Sequence, residues 1–206
     1  MIALIDYGAG NLTSVRKAFA ALDADICVPA SPADLERAAA VVVPGVGHFA
    51  ATAALGPEWV AAIRSSIGRG RPLLGICLGM QWLFEGSDEA TDCPGLGVLA
   101  GRCRRLSGVD AGGRSLKVPH VGWNSLGLQR DGAIVTGVAP ESQVYFTHSF
   151  MAPVTGDTVA VSEHGEPFAA IVERGRISGV QFHPEKSGDV GLAILRNFLR
   201  TVDVQP

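Results

Sequence analysis

Residues 73 to 81, Leu-Leu-Gly-Ile-Cys-Leu-Gly-Met-Gln, constrain the fold more than any other stretch of the chain. Cys77 stands between Gly75 and Gly79. An apolar run from Leu73 to Ile76 leads in, and a helix-compatible run from Met80 to Phe84 leads out. Strand, Gly-x-nucleophile-x-Gly, helix is the pattern of a nucleophile elbow. The glycines are required because the turn is tight and side chains there would clash with neighbouring backbone. An elbow projects the sulfur above the end of a parallel sheet. It also sets Cys77 near a helix N-terminus, whose dipole favours the thiolate. Two readings fit these residues: a catalytic nucleophile, or a buried structural cysteine in a Gly-rich loop. The pattern favours the nucleophile.

The chain before the elbow alternates strand and helix. Residues 2 to 6 read as a buried strand, followed by the Gly8-Ala9-Gly10-Asn11 turn. A helix over 12 to 22 carries Leu12, Val15, Phe19 and Leu22 on one stripe, with Asn11 as its N-cap. A short strand from Ile26 to Val28 precedes a helix start at Ser31-Pro32-Ala33-Asp34. Ala40 to Val43 is a continuous apolar strand that is expected to break at Pro44. Residues 57 to 67 form an amphipathic helix with Trp59, Ile63 and Ile67 in phase. This alternation predicts an α/β fold: a central, mostly parallel sheet with helices on both faces. The glycines of the first turn lack the third glycine of a dinucleotide fingerprint, which argues against NAD.

From about 86 to 182 the period changes. Short apolar runs at 97–99, 103–106, 116–118, 143–146, 158–162, 169–173 and 177–181 predict an added region of mixed or antiparallel strands. Arg174-Gly175-Arg176 suits a tight turn between two of them. A final helix from Gly191 to Thr201 turns Leu192, Leu195, Phe198 and Leu199 inward. Nothing marks a repeat or an internal boundary, so one domain over 1–206 is expected.

Composition narrows the function classes. Charged residues are 18% of the chain and the net charge is −3, which gives no general basic face for nucleic acid. The N-terminus has no basic leader before its apolar run, and no stretch is long enough to cross a bilayer. The four cysteines, Cys27, Cys77, Cys93 and Cys103, include no Cys-x-x-Cys pair. These features suit a cytoplasmic protein with free thiols.

A thiol that acts as a nucleophile needs a base beside it. Of five histidines, His183 stands out, in Gly179-Val-Gln-Phe-His-Pro-Glu185. A strand ending at Phe182 delivers it, and Glu185 lies two positions on. If the backbone stays extended there, the two side chains point the same way and Glu185 orients the imidazole. The alternative is a strand-end histidine beside a solvated glutamate; the elbow elsewhere in the chain favours the base. A metal reading of His183 and Glu185 finds no third ligand at a recognisable spacing.

Gly-Ile-Cys-Leu-Gly-Met-Gln together with Phe-His-Pro-Glu resembles the class I, triad-type glutamine amidotransferases. Asp6-Tyr-Gly-Ala-Gly-Asn-Leu12, Pro44-Gly-Val-Gly-His-Phe49, Pro119-His-Val-Gly-Trp-Asn124 and His183-Pro-Glu-Lys-Ser187 are similar to the branch of glutaminase subunits that serve imidazole glycerol phosphate synthase. The resemblance runs from the first strand to the last helix. It implies a single amidotransferase domain that hydrolyses L-glutamine to glutamate and ammonia without a cofactor or metal. Cys77 would be the nucleophile, His183 the base and Glu185 its orienting carboxylate. The Leu78 N–H, just after the nucleophile, and by resemblance that of Val46 would form the oxyanion hole. Gly47, Gln81, His148 and Ser149 would bind glutamine. The glycines flanking Val46 suggest that this donor is fixed only when a partner or its ligand is bound; their alternative role is close packing. The implied partner is a cyclase subunit with a (β/α)8 barrel, contacted by Asn11, Trp123 and Lys186. Where the family often has Tyr after the His-Ser pair, this chain has Phe150, which removes one hydroxyl but leaves the backbone. Glutaminases of other pathways, and a non-catalytic scaffold on the same fold, are the rival readings.

Overall fold

The structure, a computed structural model, describes residues 1–203. Its strands in chain order are β1 (Ile2–Leu4), β2 (Ile26–Cys27), β3 (Ala40–Gly45), β4 (Leu73–Cys77), β5 (Gly86–Ser87), β6 (Ala90–Pro94), β7 (Arg102–Arg105), β8 (His120–Ser125), β9 (Gly127–Leu128), β10 (Gln143–His148), β11 (Phe150–Met151), β12 (Thr158–Glu163), β13 (Pro167–Arg174) and β14 (Ile177–Val180). The α-helices are α1 (Leu12–Ala20), α2 (Pro57–Gly68), α3 (Leu78–Leu83) and α4 (Gly188–Asp203). Short 3₁₀ turns cover Pro32–Arg37, Phe49–Ala54, Ala133–Val135 and Pro184–Lys186.

The main sheet runs β2-β1-β3-β4-β14-β13-β12-β9. Its first five strands are parallel and the last three continue antiparallel. Alternation along each strand divides its side chains between two cores. Ile2, Leu4, Val42, Leu74 and Ile76 pack with Phe19 of α1, Phe198 of α4 and Phe146 of β10. Ala3, Ile5, Val41, Val43 and Leu73 pack with Ile63 of α2, Leu83 of α3 and Phe49. Each fully buried Phe contributes roughly 1.5–3 kcal/mol of transfer free energy. Helices therefore cover both faces, as the strand–helix alternation predicts. The added strands form a β10–β8 ribbon on the first face and a small β11-β7-β5-β6 sheet on the second.

Several elements depart from the sequence expectation. β3 does not stop at Pro44 but runs on to Gly45. The Val42 carbonyl bonds Ile5 on the β1 side, while the Val41 N–H bonds Pro72 on the β4 side. With period two, Pro44 turns its missing N–H toward β1, which has already ended, so no ladder bond is lost. Residues 32–37 are a 3₁₀ turn, held at its start by Asp34 accepting from the Ser31 N–H at 2.9 Å. Residues 97–99 are not a strand. The Val98 and Leu99 N–H groups both donate to the Leu83 carbonyl, so the segment closes the end of α3. Residues 116–118 are loop, and the strand lies further on, at β8. Its outward residues, Val121 and Trp123, are the apolar ones, so a search for buried runs passes over it. α4 begins about a turn earlier than the apolar pattern indicates. The 174–176 turn forms as expected, with Arg174 opposite Ile177 and Gly175 at φ 59°. No helix among the described residues is long and apolar enough to cross a membrane.

Candidate active site

The carboxyl ends of β1, β3, β4 and β14 converge on one edge of the parallel sheet, the usual ligand end of such sheets. Cys77 ends β4 with φ 52° and ψ −108°, a left-handed value that a non-glycine residue adopts only under constraint. The neighbouring glycines supply that constraint. A β-carbon on Gly79 would lie 1.8 Å from the Val43 carbonyl oxygen, and one on Gly75 would lie 2.7 Å from the backbone of residues 79 and 80. The turn is thus wedged between β3 and α3, and Cys77 is 5% exposed. Its thiol points to the Thr147 carbonyl at 3.9 Å, and the Gln181 side-chain amide donates to it at 3.7 Å.

His183 follows β14 and is 2% exposed. Its Nδ1 lies 2.8 Å from Glu185 Oε1, with both side chains 2% exposed. The pairing is the one expected, but the backbone reason differs. Residues 184–186 form a 3₁₀ turn rather than an extended segment, and the turn swings Glu185 back beneath the ring. Ser187 locks the turn: its hydroxyl donates to the His183 carbonyl at 2.7 Å and accepts the Tyr145 N–H at 2.9 Å. Burial alone pushes the imidazole down, but Cys77 and the Glu185 carboxylate outweigh it and carry His183 up to about 10. Nε2 has no hydrogen-bond partner among the described residues, so no closed Cys–His bond exists in this conformation. An open bond of this kind is common before substrate arrives.

The cavity beside Cys77 holds about 250 Å³ and is lined by Gly47, Leu78, Gln81, Glu89 and residues 147–150. It is smaller than the roughly 300 Å³ at which drug-sized pockets begin, which suits a metabolite of amino-acid size. Gln81 is buried, and its amide donates to the Phe150 carbonyl at 2.8 Å and to Gln181 Oε1 at 3.0 Å. Its NH2 group is therefore committed to the protein. The His148 ring is likewise committed, to Phe150 and His120, so it forms wall rather than a free ligand group. Phe150 contributes through its carbonyl, and the absent phenol hydroxyl leaves that contact intact.

Val46 does not offer its N–H beside that of Leu78 in this conformation. Its N–H donates to the Ala9 carbonyl at 3.2 Å and does not face the cavity. Leu78, the first residue of α3, has an N–H with no acceptor inside the helix. The Leu78 N–H thus has no acceptor within α3, while the Val46 N–H is held by the 8–10 turn. The two flanking glycines serve different purposes. A β-carbon on Gly45 would lie 2.1 Å from Tyr7 Oη and 2.9 Å from Leu78 Cβ, so Gly45 permits close packing. Gly47 has φ 101° and open space around it, so it supplies conformation.

Three site residues escape the sequence reading. Glu89 accepts the Phe49 N–H at 2.7 Å and reaches the cavity from the turn between β5 and β6, with no motif around it. Gln181 lies in the same strand run as His183, a signal available in the sequence. Tyr7 has a buried hydroxyl with no partner among the described residues. Burial first, and then the charge of Cys77, raise its phenol and keep it neutral.

The expected interface residues lie at the same end of the sheet. Trp123 is 57% exposed and meets Tyr145 edge-on, and Lys186 Nζ sits 5.8 Å above that ring. Asn11 is exposed and caps α1 by accepting the Ser14 N–H at 3.2 Å. No cluster of His, Cys, Asp and Glu among the described residues is arranged to hold a metal.

Known proteins share sequence and fold with this chain over nearly its whole length. The profile of the class I glutamine amidotransferases matches residues 3–202. Imidazole glycerol phosphate synthase subunit HisH of Geobacillus kaustophilus is 46% identical, over 97% of this chain and 96% of its own length. The subunit of the same name from Deinococcus radiodurans is 41% identical, over 97% and 93%. Among solved structures, a glutamine amidotransferase superposes with TM-score 0.75 at 21% identity, covering 99% of this chain and 100% of its own. The PurLQS structure from Thermotoga maritima gives 0.70 at 17% identity, covering 98% of each chain. At those identities the superpositions speak for the fold alone.

Proposed function

From its place among the class I glutamine amidotransferases, the family to which this chain belongs, we propose that it is the glutaminase subunit of an imidazole glycerol phosphate synthase. It is a cytoplasmic protein of one amidotransferase domain. It hydrolyses L-glutamine and passes the ammonia to a cyclase subunit, which uses it on the phosphorylated aminoimidazole-carboxamide ribonucleotide PRFAR. The products are imidazole glycerol phosphate and AICAR, on the route to histidine. The observation that carries the reading is Cys77 on a glycine-wedged elbow beside a buried His183–Glu185 pair.

Cys77 attacks the side-chain amide carbon of glutamine. His183 takes the thiol proton and returns it to the departing ammonia, while Glu185 holds the tautomer and stabilises the imidazolium. Water then hydrolyses the thioester, with His183 reversing its role. The tetrahedral oxyanion draws on the Leu78 N–H and a second donor; each such donor is worth about 3 kcal/mol. Val46 supplies the second once its bond to Ala9 is released. Its N–H is bound elsewhere at rest and the residue is 37% exposed. Both support release on docking of the cyclase against Asn11, Trp123 and Lys186. In the cavity, one Glu89 oxygen is anchored by the Phe49 N–H, and the other is placed to take the substrate ammonium. Gly47, Gln81 through its Oε1, and the backbone of His148 and Ser149 hold the rest of the amino acid.

Glutamate release from glutamine tests this, measured for the chain alone, with the cyclase, and with the cyclase and PRFAR together. Turnover is expected to rise sharply in the full complex. Equal turnover with and without the partner contradicts the Val46 gate. No glutamate in the full complex contradicts the glutaminase reading itself.

A further inference from the structure

A continuous hydrogen-bonded line runs from β8 to the nucleophile. Asn124 Nδ2 lies 3.4 Å from His120 Nε2, His120 Nδ1 lies 3.1 Å from His148 Nε2, and His148 Nδ1 lies 2.9 Å from the Phe150 carbonyl oxygen. That carbonyl also accepts the Gln81 amide, which holds Gln181, which in turn donates to Cys77 Sγ. Asn124 is anchored at the far end by donating to the Glu163 carbonyl at 2.8 Å.

One assignment of protons satisfies the whole line. A carbonyl only accepts, so His148 carries its proton on Nδ1. Its Nε2 is then a lone pair and takes the hydrogen of His120 Nδ1. His120 Nε2 is in turn the acceptor for Asn124. A second proton on either ring would set two donors against each other. Desolvation, chiefly, lowers His148 to about 3 and His120 to about 4, in keeping with two neutral rings. The titratable groups facing the pair are His164, stacked on His120 at 4.3 Å, and His183. His164 is itself oriented by donating from Nε2 to the Lys117 carbonyl at 2.8 Å.

We propose that His120 is a positioning residue for glutamine hydrolysis: by holding His148 as its Nδ1–H tautomer, it pins the Phe150 carbonyl, the 147–150 wall of the cavity and the Gln81 amide. His120 touches neither Cys77 nor the cavity and acts only through His148. The inference rests on reading the cavity as the glutamine site. It also gives the polar side chains of the Pro119–Asn124 stretch a task separate from partner contact, which falls to the outward Trp123.

Two substitutions separate hydrogen bonding from packing. His120→Phe keeps a ring stacked beside Phe146 and His164 but removes the Nδ1 donor. His120→Asn gives up the ring and sets an amide N–H near the same position. In the assembled synthase, His120→Phe is expected to raise the KM for glutamine about tenfold, the scale of one orphaned buried acceptor. His120→Asn should recover most of that. A packing role reverses the order, and simple loss of folded protein lowers kcat in both at unchanged KM; either result overturns the proposal. The wild-type protein provides a readout independent of turnover. Long-range ¹H–¹⁵N imidazole spectra should place the proton on Nδ1 of both His120 and His148, with no titration from about pH 5 to 8, where free histidine titrates. An Nε2–H tautomer on His148, or its titration in that range, overturns the lock. A wild-type complex that hydrolyses no glutamine would instead sink the reading of the cavity, and the spectra would still judge the tautomers.

Discussion

Substituting Gly79 by alanine tests whether the elbow is held by backbone contact. The added β-carbon would lie 1.8 Å from the Val43 carbonyl oxygen and 2.7 Å from its carbon. Those atoms belong to the backbone of β3, which is hydrogen-bonded between β1 and β4 and has no side-chain rotation with which to yield. Reaching even 3.0 Å requires more than about 1 Å of relative movement between β3 and α3. α3 starts at Leu78, so the movement carries the Leu78 N–H and the Cys77 sulfur with it. Overpacking of this kind costs about 1–3 kcal/mol of stability. Displacing reacting groups by about 1 Å costs about 10²-fold in rate. Gly79→Ala should therefore lower kcat/KM for glutamine hydrolysis in the complex about 10²-fold and shift the urea midpoint down with an unchanged m-value. Gly68→Ala is the control: that glycine ends α2 with nothing within 4 Å of its would-be β-carbon. Its stability should stay within about 0.5 kcal/mol of wild type. Wild-type turnover and stability in Gly79→Ala would refute the idea that this contact sets the nucleophile.

Further outcomes follow from the same geometry. Because the folded His183 is raised from 6.5 to about 10, its contribution to stability is complete below pH 6.5 and is lost as pH rises toward 10. The stability gap between wild type and Glu185→Gln in urea melts should therefore narrow over that window, and a gap that widened would contradict the pairing. Glu89→Gln should raise the KM for glutamine about 10- to 100-fold, the scale of a lost charge-assisted bond, with little change in kcat. Trp123→Ala should weaken cyclase binding in titration calorimetry by about 2 kcal/mol. The exposure of Trp123 predicts a melting temperature near wild type for the isolated chain.

The local chemistry of the elbow is legible because one residue type per position satisfies it. Gly75 and Gly79 admit no β-carbon, and Cys77 between them is the only nucleophile. The parallel half of the sheet is legible because its strands are buried on both faces and read as continuous apolar runs. β8 is not, because Val121 and Trp123 face outward and His120 inward, the reverse of the usual pattern. Pro44 misleads because its effect depends on which neighbour its nitrogen faces, a property of the assembled sheet. The commitment of the Val46 N–H to Ala9 and the arrival of Glu89 in the cavity are long-range events between segments that carry no mutual signal in sequence. The sequence pairs His183 with Glu185 only through an extended backbone, whereas the 184–186 turn makes the pairing.

Release of ammonia from glutamine at Cys77, for a partner to use, is the step on which the proposed function turns. Its most direct test is Cys77→Ala in the reconstituted synthase, followed by imidazole glycerol phosphate formation from PRFAR with either glutamine or ammonium salts. Glutamine-dependent synthesis should disappear while ammonium-dependent synthesis continues at the wild-type rate. Persistence of glutamine-dependent synthesis, or loss of both activities with the complex still assembled, would contradict it.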